Sequence, residues 1–142
     1  MQRSAMRELA FKLMYEIEVQ RDVEEDCLKL FFENNDINNE DVQKYLTNIK
    51  EGIELYKDEI DELISHNLKK NWSLNRISKI NLSLIKIAIF EMVYLNLPYK
   101  IAINEVVELA KKYADDSAPV FINGILASVV KEKNLDGDIN EG

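Results

Sequence analysis

The chain has 142 residues, few enough for one helical domain, or for two small halves around a shared core. Its hydrophobic fraction of 46% allows a sizeable core, while four glycines and two prolines argue against a turn-rich sandwich or barrel. A single cysteine, Cys27, excludes an internal disulfide, and one histidine, His66, leaves no His-based metal cluster. No apolar run reaches the 18 or so residues of a membrane span, and charges interrupt Met1 to Arg21, so no signal peptide is expected. A soluble, cytoplasmic protein is predicted. The net charge of −8 is unevenly spread. Residues 22–66 carry −10, whereas residues 67–133 carry +4, so the C-terminal half leaves room for an anionic partner.

The first predicted helix spans about Ser4 to Val19, with Leu9, Ala10, Leu13, Met14 and Ile17 on one stripe. Asp22 and Glu25 form a capping-box pattern for a second helix, whose stripe is Val23, Cys27, Leu28, Phe31 and Phe32. On that stripe Cys27 reads as a buried structural thiol. After the polar loop at 34–39, apolar residues recur from Val42 to Ile64 as one long amphipathic helix, with Gly52 or the stretch at Tyr56 as breakpoints. Ser73 is the expected cap of the next helix, which is apolar on nearly every side from Ile77 to Met92 and therefore central. Pro98 ends the following connection. A helix with Ile103, Val106, Val107, Ala110 and Tyr113 leads to the turn 114–117, and a last helix opens on Ser117 and Pro119. These elements predict an all-α domain over 1–134, in halves 1–66 and 67–134, with an unstructured end at 135–142.

No catalytic constellation is present in the pattern: a lone histidine, a thiol on an apolar stripe and no phosphate-binding glycine loop. No enzyme activity, metal or cofactor is predicted. Binding is the better expectation. Arg3 and Arg7 stand one helical turn apart. Ser117 and the unpaired N–H groups of the last helix would favour an anion, with Lys111 and Lys112 close by and Phe121 available to stack a base. Gly124 inside that helix costs about 1 kcal/mol relative to alanine, which predicts close approach of another helix or of a ligand.

Several blocks carry a family resemblance. Ile103-Asn104-Glu105, Glu108-Leu109-Ala110-Lys111 and Phe121-Ile122-Asn123-Gly124 resemble the signature of the NusB family of bacterial transcription antitermination proteins. Arg7-Glu8 with Ala10 and Met14-Tyr15, Trp72 with Arg76-Ile77, and the run Leu84 to Glu91 agree in order and spacing, covering residues 3–130. The resemblance implies two perpendicular three-helix bundles of about seven helices. It also implies binding to boxA RNA of nascent ribosomal transcripts with NusE, a ribosomal protein, within an RNA polymerase antitermination complex. Carried over by position, the RNA-facing residues are Arg3, Arg7, Tyr15, Asp116, Ser117, Phe121 and Asn123, and those nearer NusE are Asn81, Lys86 and Glu91. Val120 stands where a basic residue often does and Lys86 replaces an arginine, so the protein partner is expected to supply much of the RNA affinity. Homologous folds dimerise, which makes a second copy of the chain a further candidate partner. Two alternatives stay open: the RNA-binding domain of an rRNA cytosine methyltransferase, and a helical module that contacts only proteins.

Overall fold

The computed structural model describes residues 1–20 and 26–136. Among them are seven α-helices and no strand. Helix α1 (Arg3–Val19) buries Ala10, Phe11, Leu13 and Met14, while Leu9 and Ile17 at the edges of its stripe are half-buried. The Asp22–Glu25 capping box and Val23 lie outside the described residues. Asp26 precedes α2 (Cys27–Asn34), which buries only Phe31; Cys27 is half-buried rather than enclosed. Asn39 caps α3 (Glu40–Leu55), its side-chain oxygen accepting the N–H groups of Asp41 at 2.8 Å and Val42 at 3.1 Å.

The long amphipathic pattern divides at Tyr56, after which α4 (Lys57–His66) begins. Gly52 is not the break; it lies inside α3 because a side chain there would collide with another helix, an added Cβ falling 2.1 Å from Cζ of Phe90. Ser73 caps nothing with its side chain and instead precedes a short 3₁₀ turn, Leu74–Arg76. The cap of α5 (Lys79–Ile89) is Ser78, whose hydroxyl accepts the N–H of Asn81 at 3.2 Å. Both serines precede helical geometry, so composition alone does not choose between them.

Every residue of α5 from Leu82 to Ile89 is buried, as the all-round apolar pattern requires of a central helix. It packs against α1, against α6 (Tyr99–Tyr113) and against α7 (Ala118–Glu132), while α1 also packs on α3 and α6 on α7. Helix α5 runs into a wide π-turn, Phe90–Tyr94. That turn carries both Phe90, against Gly52, and Glu91, which is buried. Past α7 the chain does not leave the body at once: the Leu135 N–H bonds the Val130 carbonyl at 2.9 Å and its side chain packs on the core, so the unstructured end expected from 135 does not begin there.

Gly124 reverses its expectation. An added Cβ there meets nothing within 4 Å, so no helix approaches it. The two helical glycines therefore predict opposite signs in urea unfolding. Gly52→Ala loses about 1–3 kcal/mol to overpacking against Phe90, whereas Gly124→Ala gains about 0.5–1 kcal/mol of helix propensity.

Candidate nucleic-acid interface

The N-terminal arginines divide between interior and surface. Arg7 is only 2% exposed and faces the π-turn. Its Nε donates to Oε1 of Glu91 at 2.7 Å and its Nη2 to Oε2 at 3.0 Å, a bidentate pair. Its Nη1 donates to Glu105 of α6 at 3.0 Å, and the Ser4 hydroxyl donates to the same carboxylate oxygen at 2.9 Å. The Tyr45 hydroxyl of α3 donates to Glu91 at 3.2 Å. Burial alone would favour the neutral guanidine, but the hydrogen bonds and charge of Glu91 outweigh it and hold Arg7 charged. Burial, with the charge of Glu91, likewise raises the Tyr45 phenol. Arg7 is therefore interior rather than free to reach a phosphate: its side chain ties α1 to α6 and to the π-turn after α5, where Tyr45 of α3 joins through Glu91. Arg3, one turn earlier, is exposed, with its guanidinium 5.1 Å from the centre of the Tyr45 ring.

A row of rings crosses from α1 to α6. Exposed Tyr15 lies 6.1 Å from Phe11, and Phe11 lies 5.1 Å from Tyr113. Glu8 receives the Lys112 ammonium at 2.7 Å and the Tyr113 hydroxyl, and these two hydrogen bonds keep its carboxyl below the usual carboxylate range. Lys111 pairs with Glu108 at 2.8 Å. Both lysines are exposed, so a stronger anion could exchange for these carboxylates at small cost.

The start of α7 differs from the expected anion site. Asp115 already fills it, its Oδ1 accepting the N–H groups of Ser117 and Ala118 at 3.1 Å each and the Ser117 hydroxyl at 2.8 Å. Those bonds, the hydroxyl first, keep its carboxyl below the usual range. Ser117 and Asp116 are exposed beside this cap but contribute no free helix terminus. One turn on, Phe121 meets Trp72 at 5.9 Å between ring centres, and the Arg76 guanidinium lies 5.6 Å from the Trp72 ring. Trp72 is 45% exposed and Val120 79% exposed. With Leu68, Gly124 and Ile125 they line an open groove of about 680 Å³, and the missing side chain of Gly124 widens it.

Trp72 and Arg76 are the residues that sequence reasoning missed as a surface. They entered only as a family block, although a tryptophan and an arginine four apart in a loop rich in Lys and Asn carried a signal for an exposed cation–ring pair. Asn123, exposed and two residues after Phe121, faces a different groove from Phe121, beside Asn104 and Tyr99. Of the partner positions, only Asn81 reaches the surface in part, and its Oδ1 is buried with no hydrogen bond among the described residues. Lys86 and Glu91 are interior: Lys86 donates to Glu18 at 2.5 Å and lies 3.8 Å from Asp61, joining α5 to α1 and α4. A lysine amid an otherwise apolar run must be paired if buried, and that was the readable signal.

Among the described residues, no helix is long and apolar enough to cross a membrane, and no three acidic, His or Cys side chains are placed to hold a metal. The fold and its ring-and-cation surface define a class: an all-helical domain that exposes aromatic and basic side chains beside one another.

Known proteins make that class specific. The profile of the NusB family matches residues 4–131, and the chain belongs to that family. It is 43% identical over 133 residues to the transcription antitermination protein NusB of Clostridium novyi, covering 92% of this chain and 99% of that one. It is 42% identical over 142 residues to the same protein of Acetivibrio thermocellus, covering 99% and 97%. Among solved structures, T. maritima NusB superposes with a TM-score of 0.83 at 30% identity, over 93% of this chain and 92% of that one. A structure of the antitermination factors NusB and NusE in complex with dsRNA gives a TM-score of 0.82 at 25% identity, over 92% and 96%.

The two arginines separate in a stability measurement. Arg7→Ala strands the buried Glu91 carboxylate and costs about 3–5 kcal/mol in urea unfolding, whereas Arg3→Ala removes an exposed cation–ring contact and costs less than about 1 kcal/mol.

Proposed function

We propose that the chain is a transcription antitermination factor that binds boxA-type RNA jointly with NusE and helps RNA polymerase resist premature termination, acting in the cytoplasm without catalysis. The observation that carries this reading is the match, over nearly the whole of both chains, to NusB proteins named for antitermination. The RNA-facing side runs from Arg3 and Tyr15 on α1, past Lys111 and Lys112, across the exposed Asp116-Ser117 turn to Phe121, Trp72 and Arg76. Exposed rings beside cations suit unstacked bases better than a duplex, because every base offers a face to stack on. Arg7, Lys86 and Glu91 support this surface from within, and Asn123 lies outside it.

Two of its cations are shared with carboxylates: Lys112 with Glu8 and Lys111 with Glu108. RNA must displace these partners, which favours a joint site in which NusE supplies further contacts. Light scattering with and without RNA tests whether the chain forms a homodimer and whether RNA displaces the second copy.

The direct test titrates boxA RNA, a scrambled strand and a duplex, each with and without NusE. Preference for boxA is expected, larger with NusE present. Phe121→Ala and Trp72→Ala should each weaken the ternary complex by roughly 5- to 100-fold, from stacking of about 1–3 kcal/mol per base. Equal affinity for all three RNAs in both conditions would refute RNA specificity and leave the protein-only module.

A further inference from the structure

A second groove lies between α6 and α7, lined by residues other than those of the Phe121 groove, with a volume of about 440 Å³. Its floor is apolar, built from Ile103, Val107 and Val130. Asn104 and Asn123 face it from the two helices; both are exposed, and neither carboxamide makes a hydrogen bond among the described residues. Lys100 and Lys131 line it as well, and neither has an ion-pair partner among the described residues, unlike Lys111 and Lys112 on the RNA-facing side.

These fittings have a definite chemistry. A carboxamide offers both a donor and an acceptor, which matches the alternating C=O and N–H groups of an extended peptide. An apolar floor accepts every second side chain of such a strand. The two ammonium groups favour carboxylates at the remaining positions. The chain itself shows that an acid is tolerated here: Asp136 lines the groove, carried there by Leu135, whose N–H bonds to Val130. A nucleic-acid strand fits less well. The groove holds a single ring, Tyr99, which is partly buried against the core and offers no stacking platform like that of Trp72 and Phe121.

We propose that the α6–α7 groove is a docking site for an extended acidic peptide segment of a protein partner, separate from the RNA-facing side. The proposal does not depend on RNA binding. Its test uses the full chain and a fluorescein-labelled Glu-Leu-Asp-Leu-Glu peptide, followed by fluorescence anisotropy, with the Lys-Leu-Lys-Leu-Lys peptide as control. Saturable binding of the acidic peptide alone is expected. It should weaken at least about tenfold in Lys100→Glu/Lys131→Glu and several-fold in Asn104→Ala, with unfolding midpoints unchanged because these side chains are exposed. Equal binding of the basic peptide, or indifference to the lysine reversals, would overturn it. An equal loss of single-stranded RNA affinity in the lysine variant would assign the groove to nucleic acid and overturn it. Binding that appears only after Asp138→Asn/Glu141→Gln would assign the groove to the chain's own last residues, again against a separate partner.

Discussion

The interior ion pair between Arg7 and Glu91 fixes more of this molecule than any other contact. A charge taken out of water is tolerated only when its hydrogen-bonding groups are met by well-placed partners. Here all three guanidinium nitrogens are committed, two to Glu91 and one to Glu105, and Glu91 also receives the Tyr45 hydroxyl. The network therefore reaches α1, α3, α6 and the π-turn that continues α5. Apolar packing is forgiving of small slides; a bidentate pair is directional and sets the register of α1 against the central helix. The exposed residues Arg3 and Tyr15 on α1, and exposed Lys112 and half-buried Tyr113 at the end of α6, are placed relative to one another through this junction.

The π-turn is the device that makes the junction possible. Within the span Phe90–Tyr94 it buries two neighbouring side chains of opposite character. Phe90 needs the bare backbone of Gly52, and Glu91 needs Arg7. A second internal charge, Lys86 with Glu18 and Asp61, ties the same central helix to α1 and α4. The central helix and the π-turn that continues it are thus located by two polar contacts, while the apolar surface of the helix provides the bulk of the burial. A surface that must present rings and cations in one arrangement benefits from such rigidity, since ordering them on binding would cost affinity.

The helices themselves were legible in the sequence because periodicity reports a local property: α1, α3, α6 and α7 lie where their apolar stripes place them, and α5 is central as its all-round apolar pattern requires. What was not legible depends on residues far apart in the chain. Arg3 and Arg7 share a face by spacing, yet Glu91, 84 residues later, draws one of them inside. Gly52 and Gly124 look alike in a helical pattern, and only the position of Phe90 distinguishes a close approach from an open space. The α7 terminus read as an anion site because Ser117 is a good cap; that Asp115 occupies it depends on a turn geometry that composition does not specify. Family blocks recovered the fold, but not which residues of each block are interior and which are exposed, since a position can be retained for packing as readily as for contact.

The central claim is that Arg7 holds the surface proposed to face RNA in place without belonging to it. The most direct measurement is RNA affinity in the NusE-containing complex for the double variant Arg7→Met/Glu91→Leu, which removes both charges together and leaves neither stranded. If Arg7 acts through the fold, the double variant regains most of the stability lost in Arg7→Ala and binds boxA RNA within about twofold of the original chain. A folded double variant whose RNA affinity falls tenfold or more would contradict this and return Arg7 to the RNA contacts.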